Sequence, residues 1–341
     1  MKKTVAMLSA AVFALSLAAC GASSTAPAGE NAAAPQSGAA AATAGGVRIA
    51  IVQQMDHASL DQIRAAIEAE LDAQAAAQGI EIEYELFNGQ NDATTLNQIG
   101  TQVIADGYDA IIPIATLAAQ CMANAAAETE TPVVYAAISD PAAADLTGIS
   151  YVTGTSDALD TEFLLDMMLA QNPDVETVGL LYSTSEVNSG PAIEAAKSYL
   201  DEKGISYIDK TGNTTDEIVA AVNSMLDQVD AVFTPTDNVV MNAELAIAPT
   251  LAEAGIPHYA GADSFVRNGA FATCGVNYTD LGTQTADLAL EVLQTGEIPE
   301  FVTVAGDIIT VNTETAAALG VDYAVFNDMG SSLVEVQTTQ E

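Results

Sequence analysis

Apolar runs along this chain end repeatedly in small polar residues, and a segment with helical periodicity follows each of them. In one copy, the apolar residues 178–182 stop at the polar segment 183–189, and the helical pattern of residues 191–204 comes next. In another, the apolar residues 47–52 stop at residues 53–60 in the same way. Strands that end in polar groups just before a helix are typical of ligand-binding α/β sheets. The two copies predict two lobes with a cleft between them.

The order of strands and helices repeats in the two halves of the chain. Residues 80–87 alternate as a strand does, residues 92–105 form a helical pattern with Asp92 as N-cap, and residues 108–116 (YDAIIPIAT) contain a buried strand. The last of these corresponds to residues 229–237 (VDAVFTPTD) in the second half. An internal repeat of this kind predicts an α/β protein with two Rossmann-like, doubly wound lobes.

Three segments predict crossings from one lobe to the other: residues 148–155, 275–278 and 301–312. Three crossings make a hinge that can bend while each lobe keeps its own core. The predicted boundaries are residues 47–152 with 279–304 for the N-terminal lobe, 153–278 with 305–330 for the C-terminal lobe, and 331–341 for a C-terminal tail.

The N-terminus has the features of an export signal. Lys2 and Lys3 precede an apolar stretch at residues 5–19, which is shorter than the roughly 20 residues that a membrane-spanning helix needs. The sequence LAACG around Cys20 resembles the lipobox of bacterial lipoproteins. We therefore expect residues 1–19 to be a signal peptide and Cys20 to carry a lipid anchor on the outer face of the bacterial cytoplasmic membrane. An ordinary signal peptide with a coincidental cysteine is the alternative.

The segment after the predicted lipidation site has a low-complexity composition. Residues 20–46 are dominated by Ala, Gly, Ser and Pro, and they contain one acidic residue. Such a composition cannot bury a core and is typical of flexible linkers.

The charge of the chain narrows the classes of partner. Its formal net charge is −38, and removing residues 1–19 would leave six basic residues against 46 acidic ones, a net charge of −40. Six scattered bases cannot form the basic patch that nucleic acids or anionic lipid surfaces require. We therefore expect no nucleic-acid partner and no membrane contact apart from the lipid anchor.

The sequence contains few residues or motifs that are typical of catalysis. It lacks the GxGxxG, GxxxxGK[ST], GxSxG, HExxH and paired CxxC patterns, and its only histidines are His57 and His258. We expect no enzyme activity, no cofactor and no metal site. Cys121 and Cys274 fall in different predicted lobes, so two free thiols are expected rather than a disulfide.

Small hydroxyl and carboxylate side chains collect after the predicted strands of both lobes. These residues are Thr116, Ser139, Asp140, Ser185, Glu186, Asn188, Ser189, Thr234, Thr236, Asp237 and Asp263. Carboxylates can bind an ammonium group, whereas helix N-termini with hydroxyl groups can bind a carboxylate. The set therefore suits a ligand with both groups. For each residue taken singly, an ordinary N-cap is the alternative interpretation.

Several motifs together resemble one known family. They are the lipobox, QQMDHASLD, AAISDP, VTGTSD, LYSTSEVNSG, TPTDN and GAFATCGVNYTDLG. They are similar to those of ABC-transporter substrate-binding lipoproteins of the tryptophan/tyrosine-binding type, and the similarity covers nearly all of residues 47–325. The resemblance implies a type I periplasmic-binding-protein fold that closes around one small ligand.

The resemblance also implies a function and a set of ligand-binding residues. The function is capture of an aromatic or hydrophobic amino acid, such as tryptophan, tyrosine or phenylalanine, by a monomer that delivers it to an ABC permease driven by its ATPase. The residues are His57, Leu60, Thr116, Ser139 and Asp140 from the first lobe, and Tyr182, Ser185, Glu186, Asn188, Thr236, Asp237 and Asp263 from the second.

Two other functions fit the same fold. A binding protein for a sugar or nucleoside is one, although such sites often stack rings on tryptophan, which this chain lacks. A ligand sensor is the other.

The lipid anchor can be tested at a single position. Cys20→Ser removes the thiol that lipidation requires, so we expect the protein to leave the membrane fraction while its ligand affinity stays unchanged. Fractionation and immunoblotting of both variants would check this. Retention of the serine variant in washed membranes would rule out the anchor.

Overall fold

The computed structural model describes residues 46–339. The predicted signal peptide (1–19), Cys20 and the linker up to residue 45 lie outside the described residues. The chain forms two lobes, each built on a sheet with its own strand order.

The N-terminal lobe contains a six-stranded sheet in the order β11-β5-β4-β3-β1-β2, in which every pairing is parallel. Its strands are β1 (Val47–Gln53), β2 (Ile82–Asn88), β3 (Ala110–Ile114), β4 (Val133–Tyr135), β5 (Val152–Ser156) and β11 (Val302–Thr303), and its helices are α1 (Ala58–Gln78), α2 (Ala93–Asp106), α3 (Thr116–Ala125) and α9 (Tyr278–Thr295). Parallel strands covered on both faces read as continuous apolar runs, and β3 (AIIPI) is buried at every position.

The C-terminal lobe contains a seven-stranded sheet in the order β13-β12-β10-β9-β8-β6-β7. Its strands are β6 (Thr177–Tyr182), β7 (Ser206–Thr211), β8 (Ala231–Thr234), β9 (His258–Ala260), β10 (Ala272–Gly275), β12 (Ile308–Asn312) and β13 (Ser332–Val336), and its helices are α4 (Thr161–Gln171), α5 (Ser189–Lys203), α6 (Thr215–Asn223), α7 (Asn238–Glu253), α8 (Asp263–Arg267) and α10 (Thr313–Leu319). Strand β12 runs antiparallel to β10 because the chain enters it from the other lobe. The two doubly wound lobes predicted from the sequence repeat are confirmed.

The chain crosses between the sheets three times, which is the predicted number, but the first crossing follows β5 at residues 157–160 rather than at the predicted residues 148–155. It passes from β5 to α4, from β10 to α9, and from β11 to β12. These crossings place the carboxyl ends of the strands of both lobes against each other.

Two boundaries differ from those predicted. The sequence places residues 153 onward in the C-terminal lobe, but all of β5 pairs within the N-terminal sheet, between β4 and β11. The small residues of β5 (VTGTS) suggest a linker, yet each is buried. The predicted tail at residues 331–341 includes β13, which pairs with β12 over its whole length and so belongs to the C-terminal sheet.

The predicted N-cap of α2 is confirmed. Asp92 caps α2, since its Oδ1 accepts a hydrogen bond from the backbone N–H of Thr95 at 2.7 Å. Thr214 caps α6, since its hydroxyl oxygen accepts a hydrogen bond from the backbone N–H of Glu217 at 3.3 Å. Cys121 and Cys274 are buried and unpaired, which confirms the prediction of two free thiols.

A close helix approach in the N-terminal lobe depends on Gly282. A Cβ atom at this position of α9 would lie 2.6 Å from the carbonyl oxygen of Ile63 and 2.7 Å from the Cβ of Ala66, both in α1. Any side chain here must therefore push α9 away from α1, which disturbs one face of the lobe's core.

Gly282→Ala is expected to lower the free energy of unfolding by about 1–3 kcal/mol, the usual cost of overpacking a core. Urea denaturation would measure the change. Gly190→Ala in α5 is the matched control, because a Cβ there meets nothing within 4 Å. Equal stability of the two variants would contradict the assigned packing.

Candidate ligand-binding site

A cavity lies between the lobes, at the carboxyl ends of their strands. Its empty volume, including the parts open to solvent, is about 340 Å³. Its lining residues are His57, Ser59, Leu60, Ala115, Thr116, Ala137, Asp157 and Tyr278 from the N-terminal lobe and the crossings, and Asn188, Thr236, Asp237, Asn238, Met241 and Phe265 from the C-terminal lobe. Open α/β sheets bind ligands at this edge because the loops that follow the strands converge there.

Asp157 is a buried carboxylate at the first crossing, one residue after β5. It is 5% exposed. Its Oδ1 accepts a hydrogen bond from the Ser139 hydroxyl at 3.0 Å, and its Oδ2 accepts one from the Tyr278 hydroxyl at 3.0 Å. Burial raises the pKa of Asp157, and these two hydrogen bonds oppose the rise. A buried carboxylate whose donors are all neutral suits a cationic ligand group.

Asp237 also lines the cavity, but its oxygens serve the C-terminal lobe. Oδ2 accepts from the backbone N–H of Ser183 at 2.7 Å and from the hydroxyl of Ser189 at 2.6 Å, and Oδ1 accepts from the N–H of Val240 at 2.9 Å. Asp237 is the N-cap of α7 and is fully buried. Burial raises its pKa, and the hydrogen bonds that it accepts oppose the rise. Its first role is therefore to join β6, α5 and α7.

The backbone on the N-terminal side of the cavity is strained at two alanines. Ala115 follows β3 with φ of 75°, and Ala137 follows β4 with φ of 58°. Residues with side chains rarely adopt such angles, and they cluster at ligand sites when they do. Ala115 leads into α3, which has no side-chain cap. The positive end of this helix therefore lies at the cavity, where it suits an anionic group.

The remaining walls are apolar. Leu60 and Ala137 contribute from the N-terminal lobe, and Met241 and Phe265 contribute from the C-terminal lobe. Phe265 is buried and makes an edge-to-face contact with His258, with the ring centroids 6.4 Å apart. The cavity thus combines two buried carboxylates, one uncapped helix end and an apolar surface.

Hydrogen bonds between side chains of the two lobes show that the lobes are closed. The Ser139 and Thr236 hydroxyls are 2.8 Å apart, and the Ser59 hydroxyl contacts that of Ser264. His57 Nε2 lies 3.0 Å from Asn238 Oδ1.

The structure brings about half of the predicted site residues to the cavity. His57, Leu60, Thr116, Asn188, Thr236 and Asp237 line it. Ser139 reaches its edge through Asp157 and Thr236.

The other five predicted residues lie elsewhere, each with a local role. Asp140 accepts hydrogen bonds from the N–H groups of residues 142 and 143, and Tyr182 packs against the core of the C-terminal lobe. Ser185 is exposed next to Ser183. Asp263 pairs with Arg267 at 3.0 Å. Glu186 is buried between Gln54 and Asn238, beside the cavity rather than in its lining.

Several residues that line the cavity were not predicted from the sequence. They are Ser59, Asp157, Asn238, Met241 and Tyr278. Asp157 carries the same signal as the predicted residues, since it directly follows a strand. Asp157 was not predicted because the strand before it, which contains Gly and Thr, resembles a linker in the sequence.

Within residues 46–339, no cluster of three or more His, Cys, Asp or Glu side chains is placed to hold a metal ion. No helix in the same range is long and apolar enough to cross a bilayer.

Two doubly wound lobes, three crossings and a closed cavity between them define the type I periplasmic-binding-protein fold. The family model for ABC transporter substrate-binding proteins matches residues 48–325, and the chain belongs to this family. Family members are extracytoplasmic and bind a small molecule for an ABC transporter. The family resemblance predicted from the motifs is confirmed.

Known relatives agree with this assignment. The chain is 30% identical to a tyrosine-binding protein from Clostridioides difficile over 279 residues, which is 80% of each chain. A Streptococcus pneumoniae ABC domain in complex with L-Trp superposes with a TM-score of 0.77 at 28% identity, covering 85% of this chain and all of that one. A ligand-free, open substrate-binding protein with adhesive properties from Clostridium difficile gives a TM-score of 0.65 at 30% identity, covering 86% and 100%.

Asp237→Ala is expected to lower the free energy of unfolding by roughly 1–3 kcal/mol, because it removes a helix cap and leaves buried donors unpaired. Urea denaturation of the ligand-free protein would measure this. Asp92→Ala, which removes the exposed cap of α2, is the control and should cost less. An unchanged stability of the Asp237 variant would contradict the structural role of this carboxylate.

Proposed function

We propose that this protein captures an α-amino acid with an aromatic or apolar side chain. The observation that carries the proposal is the pairing, in one cavity, of buried Asp157 with the uncapped N-terminus of α3. These two groups match the ammonium and the carboxylate that every free amino acid presents.

Asp157 is proposed to bind the ammonium group. Burial raises the pKa of Asp157, which means that its charged form is disfavoured when no cation is present. A bound ammonium group would supply the missing positive charge and stabilise the carboxylate. Asp237 is less suited because three donors of its own lobe already use its oxygens.

The ligand carboxylate is proposed to lie at the start of α3, near Thr116. The N–H of Leu117 already binds Gln54 Oε1, which leaves the helix end and the Thr116 hydroxyl for the ligand. The ring of His57 also lines the cavity, and its Nδ1 is buried without a hydrogen-bond partner in the described residues. This nitrogen is a further polar contact for the ligand.

The apolar walls are proposed to hold the ligand side chain. Phe265, Met241 and Leu60 offer an aromatic ring, a flexible thioether and a branched aliphatic group. Such surfaces favour rings over charged or hydroxylated side chains. The tyrosine-binding relative and the relative crystallised with L-Trp support the same ligand class.

The proposal extends to the oligomeric state, the membrane attachment and the transporter partners of the protein. The protein is proposed to act as a monomer without enzyme activity, to hang from the membrane through lipidated Cys20, and to deliver its ligand to an ABC permease and its ATPase. Hinge closure is proposed to replace solvent around the ligand with contacts from both lobes.

Thermal unfolding and calorimetry test the ligand class. We expect L-tyrosine, L-tryptophan or L-phenylalanine to raise the melting temperature by at least about 2 °C at a concentration about 100 times the dissociation constant. If only sugars or nucleosides raise the melting temperature, the assignment as a binding protein stands and the amino-acid assignment is wrong.

Asp157→Asn is expected to weaken amino-acid binding by about 2–5 kcal/mol, because it removes the charge partner of a buried ammonium. Isothermal titration calorimetry would measure the dissociation constant. Asp140→Asn is the matched control, since Asp140 also follows a strand of the same lobe but does not line the cavity. Equal affinities of the two variants would show that Asp157 does not bind the ligand.

A further inference from the structure

A chain of four side chains joins the lobes beside the ligand cavity. His57 Nε2 lies 3.0 Å from Asn238 Oδ1, Asn238 Nδ2 donates to Glu186 Oε2 at 2.6 Å, and Gln54 Nε2 donates to Glu186 Oε1 at 3.1 Å. The two end residues belong to the N-terminal lobe, and the two middle residues belong to the C-terminal lobe. We call this chain the interlobe latch.

Gln54 is held within the N-terminal lobe by two further hydrogen bonds. Gln54 Oε1 accepts from the N–H of Leu117 at 2.9 Å, and Gln54 Nε2 also donates to Asn91 Oδ1 at 2.9 Å. Neither Gln54 nor Glu186 lines the cavity. The Gln54–Glu186 contact therefore exists only when the lobes are closed and is not supplied by a ligand, whereas His57 and Asn238 also line the cavity.

We propose that the interlobe latch sets how strongly the closed form is favoured, and that closure removes a proton from His57 and adds one to Glu186. This inference rests on the proposed function only in using an amino acid to drive closure. Solvent accepts the proton from His57 and supplies the one that Glu186 gains, so the net exchange is zero when both groups change state.

Glu186 enters a site that lacks positive charge. It is 7% exposed, and the titratable neighbour that acts on it is Asp237 of α7, a second carboxylate. The other groups facing it are the amides of Asn238, Asn188 and Gln54. Burial and, after it, the charge of Asp237 raise the pKa of Glu186 from its usual 4.5 to about 7.

His57 changes in the opposite direction. Burial lowers the pKa of His57 from its usual 6.5, while Asn238, Asp61 and Asp56 oppose this effect. Opening of the lobes would expose both residues to water and so reduce the effect of burial on the pKa of each.

The latch keeps its hydrogen bonds after this proton exchange. A protonated Glu186 must donate one hydrogen bond, and a rotated Asn238 amide presents Oδ1 to receive it. The same rotation turns Asn238 Nδ2 toward Nε2 of a neutral His57, and this nitrogen can accept a hydrogen bond from it. The side-chain amide therefore fits both states of its neighbours.

The direction of the pH effect differs between the two residues. Glu186 has a raised pKa in the closed form, so its contribution to closure is complete below pH 4.5 and is lost as the pH rises to about 7. His57 has a lowered pKa, so its contribution is complete above pH 6.5 and is lost as the pH falls. Just below pH 6.5 the two effects oppose each other, which leaves the wild-type affinity only weakly dependent on pH.

Single substitutions separate the two effects. We would measure the dissociation constant of L-tyrosine between pH 5 and 8 for the wild type, Glu186→Gln and His57→Gln. Below pH 6.5, the affinity of Glu186→Gln should fall by up to about tenfold per pH unit, whereas that of His57→Gln should rise as the pH falls from 7, by up to the same factor. Glu194→Gln, which removes an exposed carboxylate on α5, is the control and should follow the wild type.

Calorimetry in buffers of different ionisation enthalpy counts the protons directly. Near pH 5.5 we expect release of a proton on binding to Glu186→Gln, uptake by His57→Gln, and a small net exchange for the wild type. Parallel pH profiles for all four proteins, or equal proton counts, would overturn the proposal.

Failure of the proposed function is distinguishable from failure of the latch. If L-tyrosine binds none of the proteins at any pH, the amino-acid assignment fails. Small-angle X-ray scattering of the ligand-free proteins then tests the latch, because Glu186→Gln should be more open than His57→Gln at pH 5.5. Identical scattering of the two variants from pH 5.5 to 8 would overturn the latch.

Discussion

Burial of carboxylates without basic partners is the constraint on which the centre of this molecule depends. Asp157, Glu186 and Asp237 all meet near the cleft, and the salt bridges of the described residues involve none of them. Hydroxyls, side-chain amides and backbone N–H groups hold them instead. Neutral donors stabilise a buried charge less than an arginine would, so these groups respond to any cation or proton that arrives.

This constraint divides the three carboxylates by role. Asp237 holds three elements of one lobe together, Glu186 contacts the opposite lobe, and Asp157 faces the cavity between them. Structural support and, as proposed above, closure and ligand capture thus use the same chemical group. What differs is the set of donors around each one: backbone and hydroxyl for Asp237, amides for Glu186, and two hydroxyls for Asp157.

The sequence predicted the fold well and the site only in part. Two lobes and three crossings follow from the repeat because buried parallel strands require continuous apolar runs. Tyr182, Ser185 and Asp263 share the position of Asn188 and Thr236, just at or after a strand, yet they point to the core, solvent and Arg267. Position after a strand fixes the edge of the sheet, whereas loop conformation decides which side chain reaches the cavity. Asp157 and β13 were missed because Gly- and Ser-rich segments resemble linkers.

The two left-handed alanines have a consequence for how the ligand range of such a protein could change over time. Ala115 and Ala137 border the cavity with φ of 75° and 58°. A larger side chain at either position would reduce the space and meet an unfavourable backbone at once. Glycine is the substitution that relieves the backbone and enlarges the cavity together. Substitutions tolerated at these two positions therefore favour larger ligands, while narrowing of the cavity must come from its other lining residues.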